Sequence, residues 1–205
     1  MKRFLALIII LTITFNANSA FAAWKTKDSK QPVKVDEISE QAKVLYVQND
    51  IDGALKILTS KKEDDRSALD WLILGNIMQD KNKITEAIYM YNHSISTDEK
   101  FYKAHYNLGY IYLIQDKPNM AISEFKKAVK YNPAFSYGYY NMGCAYLKLK
   151  NYKTARYNFF RALDLKANNP DIYYNIAYSY KMLNNEKKAQ TYLDLYNKMM
   201  EQHEL

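Results

Sequence analysis

Residues 102–135 read YKAHYNLGYIYLIQDKPNMAISEFKKAVKYNPAF. Apolar residues at three- and four-residue spacing flank Asp116-Lys117-Pro118 on both sides, the pattern of two amphipathic helices joined by a short turn. Pro118 suits the first position of the second helix, where a missing N–H costs no intrahelical hydrogen bond. Pro133 cannot continue that helix and marks its end. Gly109 and Ala121 are small enough to let two helix backbones approach, and Tyr112 and Phe125 fill the space beside them. The stretch therefore reads as an antiparallel helical hairpin.

The same columns return outward from this stretch at intervals of 34 residues. Gly75, Gly109, Gly143 and Ala177 form one, and Leu74, Leu108, Met142 and Ile176 a second. Met78, Tyr112, Tyr146 and Tyr180 form a third. Ala87, Ala121, Ala155 and Ala189 form a fourth, and Tyr91, Phe125, Phe159 and Leu193 a fifth. A fixed period of this size marks a repeat array. One hairpin cannot bury its own apolar face, so stability must come from stacking neighbours. A weaker unit of 33 residues, Val35 to Ser67, places Ile38, Ala42, Leu45, Ala54 and Leu58 in the same relative positions. Composition agrees with helix: five Gly and four Pro in 205 residues are too few for a β protein with many tight turns.

A 34-residue period carrying these columns resembles the tetratricopeptide repeat. The unit 102–135 has Leu108-Gly109, Tyr112, Ala121, Phe125, Ala128 and Pro133, with His105 in the place of the opening Trp. Unit 68–101 has that Trp as Trp71, but carries Met78 and Ser94 and no closing Pro. Unit 136–169 has Ala167 where Pro is usual, and unit 170–203 keeps Tyr173, Tyr180 and Ala189. The resemblance implies an all-α fold: a right-handed superhelical stack of antiparallel hairpins, four clear repeats after a degenerate one at 35–67. It also implies a binding protein rather than an enzyme, with the first helix of each hairpin lining a concave face.

The N-terminus carries a separate signal. Lys2 and Arg3 precede an uncharged run from Phe4 to Phe15, and Ala20-Phe21-Ala22 has the small-x-small form of a signal peptidase site. That order is expected of a secretory signal peptide, residues 1–22, cleaved between Ala22 and Ala23. The other reading is an uncleaved membrane anchor, but the apolar run is short against the roughly 20 residues a spanning helix needs. Residues 23–34 are polar and charged with Pro32 and read as a flexible leader. The expected location is periplasmic or secreted, in a bacterium, with no stable membrane insertion after cleavage.

Losing Lys2 and Arg3 lowers the formal charge of +7 by two, to +5. This modest excess favours acidic partners or anionic lipid headgroups over nucleic acid, and commonly means only solubility. Cys144 is the sole cysteine, so no disulfide can form within one chain. It is either a small buried filler or an intermolecular thiol. His93, His105 and His203 form no HExxH arrangement, and the sequence has no CxxC and no Gly-rich phosphate loop. No catalytic residue, metal site or cofactor is expected.

Asn107, Asn141 and Asn175 recur at the 34-residue spacing, each preceded by a tyrosine: Tyr106, Tyr140 and Tyr174. Tyr110 and Tyr178 lie one turn further toward the same face, where Cys144 and Asn76 hold the corresponding places. An Asn amide offers a donor and an acceptor, and Tyr adds stiff apolar area with a polar tip. In the family resembled, Asn at this place can hydrogen-bond an extended peptide. Two roles stand for these residues: peptide contact on a concave face, or a structural ladder between repeats. Lys103, Tyr137, Lys148 and Lys181 are placed at the rim; Lys126, Lys127 and Lys130 fall on a second helix and read as a solvated face.

The expected function is an exported scaffold that mediates protein–protein interaction, gripping an extended segment in the concave groove. The alternative is a structural subunit of an envelope or secretion assembly. It would self-associate, for instance as a homodimer, through a C-terminal helix still carrying Leu193, Leu195, Tyr196, Met199 and Met200.

Overall fold

The computed structural model describes residues 37–203; the expected signal peptide, its Ala22–Ala23 cleavage site and the leader lie outside the described residues. Among the described residues there are ten α-helices and no strand, so the fold is all-α. They are α1 Glu37–Val47, α2 Ile51–Ser60, α3 Ala68–Asp80, α4 Ile84–Thr97 and α5 Tyr102–Ile114, followed by α6 Pro118–Tyr131, α7 Ser136–Lys148, α8 Tyr152–Asp164, α9 Asp171–Lys181 and α10 Glu186–His203. A 3-10 turn at Glu63–Asp65 joins α2 to α3. No helix among the described residues is long and apolar enough to cross a membrane.

The helices fall into two compact units, one up to Glu99 and one from Lys100 onward. The first holds the α1/α2 and α3/α4 hairpins. The second holds α5/α6, α7/α8 and α9/α10, with α6 packed on α7 and α8 on α10's partner α9. In both units each helix pairs most extensively with its hairpin partner, as a stack of hairpins requires.

The repeated columns form the core. Ala87, Ala121 and Ala155 are fully buried, as are Tyr91, Phe125 and Phe159. The glycine column explains itself by space. A Cβ on Gly109 would lie 2.8 Å from the Phe125 ring and 3.2 Å from the Ala121 carbonyl oxygen, and one on Gly143 would lie 2.6 Å from the Phe159 ring. The rings of Tyr91, Phe125 and Phe159 thus lie against the bare backbone of the first helix of their own hairpins at Gly75, Gly109 and Gly143.

Turn chemistry agrees with the sequence. Pro118 opens α6. Asn151 caps α8 by accepting from the Thr154 N–H at 3.3 Å, and Asn185 accepts from the Lys188 N–H at 3.1 Å. Asn82, Asp116, Lys150 and Asn184 have positive φ, between 56° and 58°, and share the 34-residue spacing. These left-handed residues end the first helix of each hairpin, a place usually given to glycine.

The degenerate unit departs from expectation at one residue. Ala42, Ala54 and Leu58 are buried, but Ile38 is 47% exposed, and the fully buried residue of that turn is Ser39. A polar cluster explains this. Lys61 Nζ donates to Asp70 Oδ2 at 2.6 Å and to Ser39 Oγ at 3.2 Å, and the Ser39 and Ser67 hydroxyls are 3.2 Å apart. The same Asp70 oxygen accepts from the Ser67 N–H at 2.8 Å, completing a capping box at the start of α3. Ser39 turns inward to reach this cluster, which leaves Ile38 on the outside.

Candidate functional site

The tyrosines and asparagines singled out by the repeat lie on α5, α7 and α9, the first helices of the three hairpins in the second unit. Residues three or four apart share a helix face, so Tyr106 and Tyr110, Tyr140 and Cys144, and Tyr174 and Tyr178 each align along their helix. Neighbouring α5 and α7, and α7 and α9, are in contact, which brings the three pairs side by side.

The residues are not equivalent. Tyr106 is buried, edge-on to Phe135 with ring centroids 4.9 Å apart. Its hydroxyl accepts from Asn141 Nδ2 at 2.9 Å. Asn141 is only 6% exposed, and this bond ties α7 back to α5. Asn175 is also buried, whereas Asn107 is half-buried. Tyr110, Tyr140, Cys144, Tyr174 and Tyr178 are half-buried, each offering part of its surface.

Desolvation dominates the electrostatics. It raises the pKa of Tyr110, Tyr174 and Tyr178 above the ordinary phenol range, and neighbouring thiol and phenol groups add to it. Tyr140 is raised further by burial, by Cys144 and Asp171 nearby, and by its hydrogen bond with Cys144. These hydroxyls stay protonated at neutral pH. Burial likewise pushes the Cys144 thiol up to about 12, so it is no ready nucleophile. Asp171, at the start of α9, is half-buried, and desolvation raises its carboxyl.

The rim residues are partly committed. Lys148 Nζ meets Asp116 Oδ1 at 2.8 Å, and Lys103 lies over the Tyr102 ring at 5.8 Å. His105, in the usual Trp position, is buried; its Nδ1 is 2.7 Å from Glu124 Oε2 and its ring stacks on Tyr131. Lys126, Lys127 and Lys130 are exposed on α6. Sequence reasoning missed an open cleft between α6 and α7, floored by Ile122, Tyr146 and Leu149 and edged by Lys126 and Lys127. No group of three or more His, Cys, Asp or Glu that could hold a metal occurs among the described residues.

Family profiles described as tetratricopeptide repeat match residues 102–135 and 170–199, and 124–157, and one described as TPR repeat matches 143–184. The match at 124–157 starts within α6, in a different phase from the match at 102–135, as a continuous array permits. No curated protein sequence matches the chain. Among solved structures, MamA of AMB-1 is 19% identical with a TM-score of 0.68, over 80% of this chain and 90% of its own. MamA of MSR-1 is 20% identical with a TM-score of 0.68, over 84% of this chain and 99% of its own. The MamA RS-1 ArsTM double mutant is 13% identical with a TM-score of 0.71, over 82% and 98%. At these identities the likeness carries the fold and no ligand. Residues 102–199 of this chain are tetratricopeptide repeats, and the described chain is built throughout from helical hairpins of that kind.

Proposed function

We propose that this protein is an exported scaffold that holds an extended segment of another protein against the face of α5, α7 and α9. A tetratricopeptide array is a protein-interaction scaffold fold, which supports the general reading. The observation that carries the finer one is the row of half-buried tyrosines Tyr110, Tyr140, Tyr174 and Tyr178 on successive first helices. Interface centres are enriched in such residues, because a tyrosine buries much area at little entropic cost. Peptide contact falls to these tyrosines and to half-buried Asn107, while Asn141 and Asn175 are buried. Tyr106, Asn141 and Asn175 therefore support the face from beneath.

A photo-crosslinking residue placed at Tyr110 or Tyr178 should capture a partner in the native compartment, and one at Tyr157 on α8 should not. Equal capture from all three positions would remove the groove from the reading. Export rests on the N-terminal sequence pattern. A reporter fused after residue 30 should be active outside the cytoplasm, and an N-terminal sequence of the purified protein beginning at Ala23 would establish cleavage.

Exposed Leu195 and Met200 on α10 favour a second reading, self-association through that helix. Sedimentation decides it: a strict monomer at high micromolar concentration excludes it.

A further inference from the structure

Independently of the α5, α7 and α9 face, we propose that the cleft between α6 and α7 docks an acidic segment of a partner protein. The segment seats one bulky apolar side chain on Ile122, Tyr146 and Leu149 and sets carboxylates beside Lys126 and Lys127.

The cleft, of about 480 Å³, arises from a change between repeats. At the 34-residue spacing Tyr146 corresponds to Tyr180, Ile122 to Arg156 and Thr154 to Lys188. In the later repeat the Arg156 guanidinium lies 4.2 Å over the Tyr180 ring, and Lys188 lies 5.4 Å over the same ring. Tyr180 is buried. Ile122 and Thr154 are too short to cover a ring in this way, and Tyr146 is only half-buried. Leu149 beside it is 39% exposed. The chain covers one aromatic wall with its own side chains and leaves the equivalent wall bare.

Charge selects the occupant. Residues 100–205 carry sixteen Lys and Arg against eight Asp and Glu, a formal +8, whereas residues 23–99 carry eleven against fourteen, or −3. The basic excess lies wholly in the half that holds the cleft. Among the described residues no carboxylate lines it. Glu124, on the same helix, is already held by His105 and Lys127. Lys126 is exposed and has no ion pair or hydrogen bond among the described residues. Lys127 keeps donors beyond the one given to Glu124. An acidic segment therefore meets a cation that nothing else neutralises.

Shape selects a protein segment. A helix rises about 1.5 Å per residue, so Lys126 lies about 6 Å beyond Ile122 along α6. The cleft has an apolar end at Ile122 and Leu149 and a cationic end. α7 finishes at Lys148, next to Leu149, and its last carbonyls carry partial negative charge. The apolar anchor belongs there and the carboxylates at the lysine end. Ile122 is 6% exposed, so this floor is recessed: a protruding side chain reaches it and a flat bilayer surface does not. The acidic turn Glu63–Asp65 of a second copy would bring charge, but no apolar residue stands between Lys61 and Ser67.

The purified protein is titrated with three capped twelve-residue peptides, read by calorimetry and amide NMR shifts. One contains glutamate and leucine, the second has serine for every leucine, and the third has lysine for every glutamate. The glutamate–leucine peptide should bind at least ten-fold more tightly than the others and shift amides of α6 and the last turn of α7. Lys126→Glu should weaken it at least five-fold. Lys198→Glu, the same charge change at an exposed site on α10, should alter it less than two-fold. Ile122→Arg, which copies the cover that Arg156 gives Tyr180, should abolish binding although it adds a positive charge. Leu149→Ser, at an exposed position, should weaken binding at least five-fold and serves if the arginine variant fails to fold. Equal binding of the serine peptide, or equal losses from Lys126→Glu and Lys198→Glu, reduces the effect to net charge and overturns the inference. Shifts confined to the tyrosine face of α5, α7 and α9 overturn it too, and so does the absence of any binding, which leaves the groove reading standing. Vesicles with anionic headgroups, and the protein alone at high concentration, are run in parallel. If Lys126→Glu releases the vesicles or dissociates the protein while no peptide shifts these amides, the cleft serves a membrane or a second copy and the inference falls.

Discussion

Gly109 shows how tightly a single residue is constrained. Its missing Cβ is replaced by the Phe125 ring, and an added methyl would lie 2.8 Å from ring carbon. Phe125 is fully buried and cannot swing aside. Gly109→Ala should therefore destabilise the protein by about 1–3 kcal/mol through overpacking, measured by urea unfolding. Glu124 gives a pH-dependent case. Burial raises its carboxyl, but hydrogen bonds from His105 and Lys127 outweigh that, and the net shift is downward. A carboxyl depressed in the folded state adds stability that is present above its unfolded value and lost as pH falls through the folded one. Glu124→Gln should thus cost about 1 kcal/mol at pH 7, the scale of a charge-assisted hydrogen bond at a partly exposed site, and almost nothing well below pH 4. A cost independent of pH would show that the carboxylate charge does no work there. The glycine was legible in the sequence because its column repeats. The Glu124 pairing was not, since its partner His105 lies on another helix and stands where the repeat usually has Trp.

Within a hairpin, the turn and the first contact between helices decide stability. Lys150 ends α7 with a φ of 58°, a conformation in which its Cβ crowds the backbone. Lys150→Gly should stabilise the protein by about 1 kcal/mol, and thermal unfolding would show it as a higher Tm. Asn82 and Asn184 hold the equivalent place with a residue that tolerates it better, so replacing them by Gly should gain less. The join between the α1/α2 and α3/α4 hairpins works differently. Lys61 and Asp70 form an ion pair with both side chains buried, and Asp70 Oδ1 is buried with no hydrogen-bond partner. Removing one member strands the other charge. Lys61→Ala should cost about 3–5 kcal/mol, whereas Lys61→Met with Asp70→Leu should recover most of that loss, because apolar packing can replace a buried pair. Equal losses in the single and double variants would mean the pair is not coupled. The hairpin turns were readable from Pro118, Asn151 and Asn185, whose chemistry is local. The Lys61–Asp70 pair was not, because the eight residues between them had to fold before the two charges met.

For the whole molecule, stability is a sum over hairpins and the contacts between neighbours. In the second unit α7 is packed by α5, α6, α8 and α9, while α10 contributes Ala189 as its one buried hydrophobic and shows Leu195 and Met200 to the outside. Native-state hydrogen exchange should be slowest in α7 and fastest in the last turns of α10, with a gradient between them. Uniform protection across the unit would mean that it opens only as one block.

The amino-acid sequence by itself determined the all-α class, the period, the hairpin turns and the residues that make the tight contact. Each of these follows from spacing along one chain, and a period of 34 residues repeated in phase leaves little freedom. Tertiary structure alone decided where the Tyr-Asn columns lie. Asn107, Asn141 and Asn175 are identical in sequence position, yet one is half-buried and two are buried, and Asn141 donates to the tyrosine of the preceding hairpin. Whether an amide faces a neighbouring helix or a groove depends on how adjacent hairpins pack, and no residue within a single repeat encodes that.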